Sequence, residues 1–375
     1  MSLTGNAFFI LLVVVTVVAV VATLLLWNQV RGPRAVRLVT RLVLIGVCQL
    51  TAIAVVATWI NNANGLYTSW ADLFGEQQGA GPVAAGAAQT VFTRGEGATQ
   101  ETTFRGRWSG VTGQAIVWTP PQYQDPKYAH DSFPVMMLLH GVPGGPLSWI
   151  RGGQVLTALG RMMTSGEVSP AIVVIPSIDA GGRDTDCSDT PRQKNATWLM
   201  RDVHDLVTSR FRALNGPHDW SVIGFSTGGL CAVKLAMQYP QELGSAVGLS
   251  PDDFHGDRSA LPDPKLRQLN SPLWLAKKRP PVSLFVATSS KDRFSTVPNV
   301  KDLEKVVQWP TVLSTPMILN DGGHNWGTWR GLFQVVFPWA SDHLEAPHPL
   351  RPIAKPKPGP TSLASSGRIR TPLHR

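Results

Sequence analysis

Only three of the 375 residues are cysteine, and the chain has no C-x-x-C pair or His/Cys cluster. That excludes the common structural zinc modules, a dense disulfide scaffold and any metal site recognisable from spacing. Cys48 falls inside an apolar run, so Cys187 and Cys231 are the only pair available to the rest of the chain. Acid is missing from the whole N-terminal stretch: the first carboxylate is Asp72. Net charge is +9, with much of the excess at the two ends. No basic face interleaved with aromatics lies within the part that should fold, so no nucleic-acid partner is expected.

What the N-terminus has instead is length without charge. Residues 7–27 (AFFILLVVVTVVAVVATLLLW) and 42–60 are long enough to cross a bilayer. The segment between them carries Arg31, Arg34, Arg37 and Arg41 and no acid. By the positive-inside rule this segment is cytoplasmic, which sends the N-terminus and everything after Ile60 to the outer side. A cleaved signal peptide is the competing reading. It fits poorly, because MSLTGN has no positive charge and the apolar stretch is too long. Gln49 and Cys48 within the second span read as a helix-contact face. Residues 1–60 are therefore expected to form a two-span hairpin anchor, and 61–89, rich in Gly, Ala and Asn, a juxtamembrane linker with Trp70, Leu73 and Phe74 near the interface. At the other end, residues 346–375 hold seven prolines, six Lys/Arg and no acid. They cannot bury a core and are expected to be a disordered basic tail.

Between these ends, residues 90–345 have the texture of an α/β domain. Strand-like runs at 90–93, 101–108 and 114–119 predict an antiparallel edge. Buried strands then alternate with helices: FPVMMLL (133–139), a helix over 154–163, AIVVI (171–175) and a helix over 196–214 with apolar residues three and four apart. Further strands are expected at 220–225, 246–249, 282–287 and 316–319, with helices at 230–238, 300–307 and from Trp326 to about Leu344. This alternation predicts a mostly parallel sheet flanked by helices. Residues 252–279, with three prolines, interrupt the pattern as a candidate lid.

The chain is organised around Trp220-Ser-Val-Ile-Gly-Phe-Ser-Thr-Gly-Gly-Leu230. An apolar strand runs into G-x-S-x-G and a helix follows, the context in which a serine is lifted above a sheet on a tight turn. A serine hydroxyl needs a base to become a nucleophile. His324, in DGGHNW after the last strand, is the candidate. The imidazole needs a carboxylate to fix its tautomer, and Asp292 after the penultimate strand gives the chain order Ser, Asp, His. A loop Asp paired with Lys291 or Arg293 is the plain alternative, with Asp252 and Asp253 as substitute acids. Donors for a tetrahedral oxyanion are expected from the N–H groups of Thr227 and Val142, the latter in LLHGVPGG (138–145). His140 in that loop is read as shaping it rather than as a second base. Trp149, Trp326 and Trp329 are candidates for lining the substrate cleft, or equally for the core.

Taken together, LLHG-x-x-GG, G-x-S-x-GG, the late Asp and GGH-x-W-x-x-W (322–329) resemble the putative-esterase family of α/β-hydrolases, over roughly residues 114–344. That family includes esterase D/S-formylglutathione hydrolase, feruloyl and acetyl-xylan esterases and the antigen 85 mycolyltransferases. The resemblance implies an α/β-hydrolase fold, a Ser226–His324–Asp292 triad, a Val142/Thr227 oxyanion hole and no metal or organic cofactor. The chain departs from the pattern at Thr227, where relatives often carry a larger residue, and in its membrane hairpin. Cys187 and Cys231 both fall near the nucleophile, and an oxidising exterior would let them join as a disulfide. The expected activity is a membrane-anchored, extracytoplasmic serine hydrolase of carboxylic esters, the ester carried by a lipid or a cell-wall sugar. An acyltransferase on envelope lipid or sugar, or a silent binding protein on the same scaffold, are the alternatives.

Overall fold

The computed structural model describes residues 6–64, 84–85 and 90–350. The expectations for Trp70, Leu73 and Phe74 and for the tail beyond residue 350 lie outside these residues. Two long apolar helices open the chain, α1 (Asn6–Leu26) and α2 (Arg34–Asn64), both long and apolar enough to cross a membrane. They pack against each other as a hairpin. Thr23 Oγ1 lies 3.2 Å from Cys48 Sγ, and Arg41 donates to the carbonyl of Trp27 while stacking over its ring. α2 continues past the expected end of the span at Ile60.

The strands form one mixed sheet. In chain order they are β1 (Ala84–Ala85), β2 (Thr93–Arg94), β3 (Gln100–Arg105), β4 (Thr112–Trp118), β5 (Val135–Leu139), β6 (Ile172–Pro176), β7 (Trp220–Phe225), β8 (Ser245–Leu249), β9 (Ser283–Ser289), β10 (Val312–Leu313) and β11 (Met317–Leu319). Across the sheet the order is β1-β3-β4-β6-β5-β7-β8-β9-β10, with β2 on β3 and β11 beside β9. β3–β4 and β4–β6 are antiparallel, while the pairs from β6 through β9 to β10 and β11 are parallel. The antiparallel edge before a parallel core is thus present, although the first run shrinks to Thr93–Arg94.

The sheet is buried on both faces, which explains why its strands read as continuous apolar runs. Side chains alternate across a strand. Val135, Met137 and Leu139 of β5 join one core with Val222 of β7, while Met136 and Leu138 join the other with Ile223 and Phe225. The first face is covered by α4 (residues 195–210), α5 (Thr227–Gln238), α7 (Pro272–Leu275) and α8 (Val297–Val306). The second is covered by α3 (Val155–Ser165), α9 (Trp326–Gly331) and α10 (Phe333–Asp342). α4 departs from a regular helix through its middle, with a wider π-type turn over Trp198–Val203 that keeps Trp198, Leu199 and Val203 buried together. The single last helix expected from the pattern is two, α9 and α10, meeting at Leu332. Pro338 sits inside α10. The candidate lid holds α6 (Pro264–Leu269) and α7. The chain after residue 345 returns to the domain, with His348 and Ser132 exchanging backbone hydrogen bonds, so the expected tail does not begin at 346.

Cys187, in the loop after β6, is bonded to Cys231 in the first turns of α5. Beside it the fully buried Lys234 donates to the carbonyl of Asp186 and, at 2.7 Å, to Ser188 Oγ. Burial drives both ionisable groups toward neutrality, the Asp186 carboxyl up and the Lys234 ammonium down. The disulfide closes a loop spanning 44 positions, for which loop-closure entropy predicts about 4 kcal/mol of stabilisation. Replacing both cysteines by serine should lower the unfolding free energy by up to about that amount. Chemical denaturation of the full chain in detergent micelles measures it, and an unchanged free energy contradicts a bond between the two.

Candidate active site

Every residue singled out for chemistry sits at the carboxyl ends of the parallel strands, where an open α/β sheet leaves its crevice. Ser226 follows β7, which lies between β5 and β8 in mid-sheet. Its backbone is at φ 56°, ψ −129°, a conformation a residue with a side chain adopts only under strain. The turn is possible because of the glycines around it. A Cβ on Gly224 would lie 2.0 Å from the carbonyl oxygen of Gly228, and one on Gly228 would lie 2.3 Å from that of Leu139. The helix α5 therefore starts directly against the sheet, with Ser226 at its N-cap.

His324 Nε2 lies 2.8 Å from Ser226 Oγ, and its Nδ1 lies 3.0 Å from Asp292 Oδ2. With Nδ1–H donating to the carboxylate, Nε2 presents its lone pair to the serine hydroxyl. The imidazole is held edge-on against Trp329, with Phe294 on another side, each 5.1 Å away between centroids. Gly322 has a positive φ of 101°, which lets the chain leave β11 and swing His324 back over the sheet before Asn325 caps α9. Asp292 is buried and its Oδ1 accepts the N–H groups of Phe294 and Ser295, both at 2.9 Å. Burial alone would raise this carboxyl. The hydrogen bonds from His324, Ser295 and Ser250 and the imidazole's charge outweigh it, so the group lies below the usual carboxylate range. Lys291, an alternative partner for Asp292, pairs with Asp321 at 2.7 Å instead.

The loop after β5 crosses directly above Ser226, since a Cβ on Gly141 would lie 2.9 Å from that of Ser226. His140 is fully buried, with Nδ1 2.8 Å from the Gly141 carbonyl and Nε2 3.2 Å from the N–H of Ile178. Both ring nitrogens are thus committed to shaping the loop. With the Gly141 carbonyl turned to His140, the N–H of Val142 in the same trans peptide points the opposite way. The N–H of Thr227, in the first turn of α5, has no acceptor within the helix. Val142, Ser226 and His324 line one cleft of about 1320 Å³.

Trp149 and Trp326 are not on that lining, and here the sequence expectation is corrected. They are 0% and 3% exposed and pack around Phe225 with ring centroids 5.3 and 4.2 Å away. The physical reason is the apolar second face of the sheet, which α9 and the loop before α3 cover with these rings. Only Trp329 of the three reaches the cleft, stacked on Phe225 behind His324.

The residue the sequence pattern undervalues is Asp252. It reads there only as a substitute for Asp292. In the structure it stands beside Ser226, Oδ1 3.3 Å from the serine hydroxyl and Oδ2 2.6 Å from Thr227 Oγ1. Asn299 of α8 fixes its loop, donating to the Asp252 carbonyl at 3.0 Å and accepting from the Phe254 N–H at 2.8 Å. The signal was Thr227 itself, a small hydroxyl where the family pattern favours bulk, which needs an acceptor. Burial pushes the Asp252 carboxyl up, against the pull of the hydroxyls of Thr227 and Ser226 and of the imidazole.

Residues 113–340 match the protein family described as Putative esterase. A protein of Corynebacterium glutamicum described only as uncharacterized is 24% identical over 246 residues, covering 60% of this chain and 56% of its own. The chain thus spans little more than half the length of that relative. Among solved structures, a ferulic acid esterase superposes with a TM-score of 0.56 at 18% identity, over 66% of this chain and 98% of its own. The S-formylglutathione hydrolase of Agrobacterium tumefaciens gives 0.54 at 16% identity, over 68% and 99%. A fluorophosphonate-binding serine hydrolase of Staphylococcus aureus gives 0.52 at 16%, over 66% and 99%. At these identities the likeness is one of fold.

The two carboxylates beside Ser226 and His324 should respond oppositely to pH. Asp292, with its folded pKa lowered, contributes stability above the ordinary value of 3.8 that is lost as pH falls through the folded value. Asp252, with its folded pKa raised, is most favourable below 3.8 and costs stability as pH rises through its folded value. Urea unfolding from pH 3 to pH 8 should therefore find Asp252→Asn gaining on the wild type as pH rises, and Asp292→Asn losing ground. Equal slopes for all three proteins would contradict the assignment.

Proposed function

The chain belongs to the Putative esterase family, a family of serine esterases and acyl hydrolases, and we propose that within it Ser226 is the nucleophile. In this reading His324 carries the proton, Asp292 orients the imidazole and stabilises its charged form, and the N–H groups of Val142 and Thr227 receive the oxyanion. The observation that carries the proposal is the continuous line from Asp292 Oδ2 through His324 to Ser226 Oγ, with contacts of 3.0 and 2.8 Å.

The steps follow from that line. Ser226 Oγ attacks the ester carbonyl carbon as Nε2 takes its proton. The carbonyl oxygen becomes an anion between two fixed N–H dipoles. Collapse breaks the bond to the alcohol, which leaves with the proton from Nε2, and the acyl group stays on Oγ. Water then adds to the acyl carbon, its proton going to Nε2. The second collapse returns that proton to Oγ and releases the carboxylic acid. An acceptor alcohol in place of water makes the same enzyme an acyltransferase. The volume of the cleft, about 1320 Å³, favours keeping that second reading. It exceeds the usual 300–1,000 Å³ of a small-ligand site and leaves room for an acceptor beside the acyl-enzyme.

Location is part of the proposal. The helices α1 and α2 anchor the protein in a membrane, Arg31, Arg34, Arg37 and Arg41 remain on the cytoplasmic side, and residues 90–345 work on the outer side. The Cys187–Cys231 bond supports an oxidising compartment. Its substrate class is an ester of a lipid or of a wall sugar.

With a short-chain p-nitrophenyl ester, Ser226→Ala and His324→Ala should each lower kcat/KM by about 10⁴-fold or more, and the double variant no further than either alone. Activity of Ser226→Ala within about tenfold of wild type ends the reading.

A further inference from the structure

Almost all of the cleft around Ser226 is built by the α/β domain. Among the described residues the exception is Ile60, which lines it from the last turns of α2. Ile60 is itself 42% exposed, so one side of it stays open, while Thr58 and Asn61 of the same turn are each only 7% exposed and α9, the helix that follows His324, packs against α2.

The position of Ile60 along its helix gives that contact meaning. From Leu42, after the last arginine, to Ile60 the chain rises about 28 Å at 1.5 Å per residue, close to the roughly 30 Å of a bilayer's hydrocarbon core. Ile60 therefore stands where α2 leaves the lipid. Trp59 beside it is 61% exposed, the placement of an interfacial tryptophan. On the same cleft, Phe294 is 72% exposed although it lies against the imidazole of His324. A ring this open presents apolar surface that a lipid chain would cover.

The cleft has two kinds of wall. Ile60, Val142, Pro143, Phe294 and Trp329 supply apolar surface, while Asp253, His255, Asp257, Arg258, Arg267 and Gln268 supply charge and hydrogen-bonding groups. A site divided in this way suits an amphiphile.

We propose that the substrate is an ester lipid of the outer leaflet, entering the cleft sideways from the bilayer at Ile60. Its acyl chain follows the Ile60–Phe294 wall and its polar headgroup meets the wall formed by the lid. The lipid's acyl–oxygen bond breaks as the bond to Ser226 Oγ forms, the headgroup alcohol leaves with the proton from His324, and water later frees the fatty acid. This rests on the anchored serine-hydrolase reading above.

The test uses the full chain in vesicles and two fluorogenic umbelliferyl esters, palmitate and the water-soluble butyrate. The palmitate is placed either in the protein's own vesicles or in separate, protein-free ones, and each rate is normalised to that for butyrate. Sharing the bilayer raises effective concentration, so palmitate should react at least about tenfold faster there than across vesicles. Two substitutions test the route itself. Ile60→Glu, and Phe294→Ser on an already exposed side chain, should each lower the palmitate-to-butyrate rate ratio about fivefold, the cost of roughly 1 kcal/mol of lost apolar contact. Butyrate turnover with equal palmitate rates in the two arrangements overturns the inference, as does an unchanged ratio in Phe294→Ser. If neither ester is turned over, the hydrolase reading itself fails and this inference falls with it.

Discussion

The constraint on which the rest of the site depends is the turn at Ser226. Its left-handed backbone costs on the order of 1–3 kcal/mol, and it persists because β7 and α5 meet where Gly224 and Gly228 leave no space for a side chain. That close approach puts the hydroxyl above the sheet, places the N-terminus of α5 beside it and brings the Gly141–Val142 peptide over it. His324 and Asp292 arrive on separate loops, from β11 and β9, and meet the serine because β9 carries β11 on one edge and β8 on the other.

Around that turn the chain holds two carboxylates in different surroundings. Asp292 is surrounded by donors, the N–H groups of Phe294 and Ser295 and the imidazole, and its charge is welcome. Asp252 has the hydroxyls of Ser226 and Thr227 as its side-chain hydrogen-bond donors among the described residues, and burial penalises its charge. Environments that drive two like groups apart are how one site separates their roles. In the proposed mechanism this gives Asp292, rather than Asp252, the task of stabilising the imidazole.

Much of this was legible in the sequence, for identifiable reasons. Strand–G-x-S-x-G–helix is a local pattern whose sterics are set within ten residues, and the order Ser226, Asp292, His324 follows from strand order. The doubly buried strands 133–139 and 171–175 advertised themselves as unbroken apolar runs. What was not legible depends on contacts between distant segments. Trp149 and Trp326 carry no mark that distinguishes a ring beneath a cleft from one lining it. Asp252 stands beside Ser226 because Asn299, 47 positions away, ties down its loop. The break at Leu332 and the return of His348 to Ser132 are likewise tertiary choices. The placement of Ile60 on the cleft could not be read from a hydropathy pattern that sees α2 only as a span.

The proposed function stands on Ser226 being an activated nucleophile. The most direct measurement is intact-mass spectrometry of the folded, full-length protein after exposure to a fluorophosphonate, followed by mapping of the modified peptide. A single adduct on Ser226, absent from Ser226→Ala, is the expected result. A folded protein that takes up no adduct, or one that carries it on another residue, would contradict it.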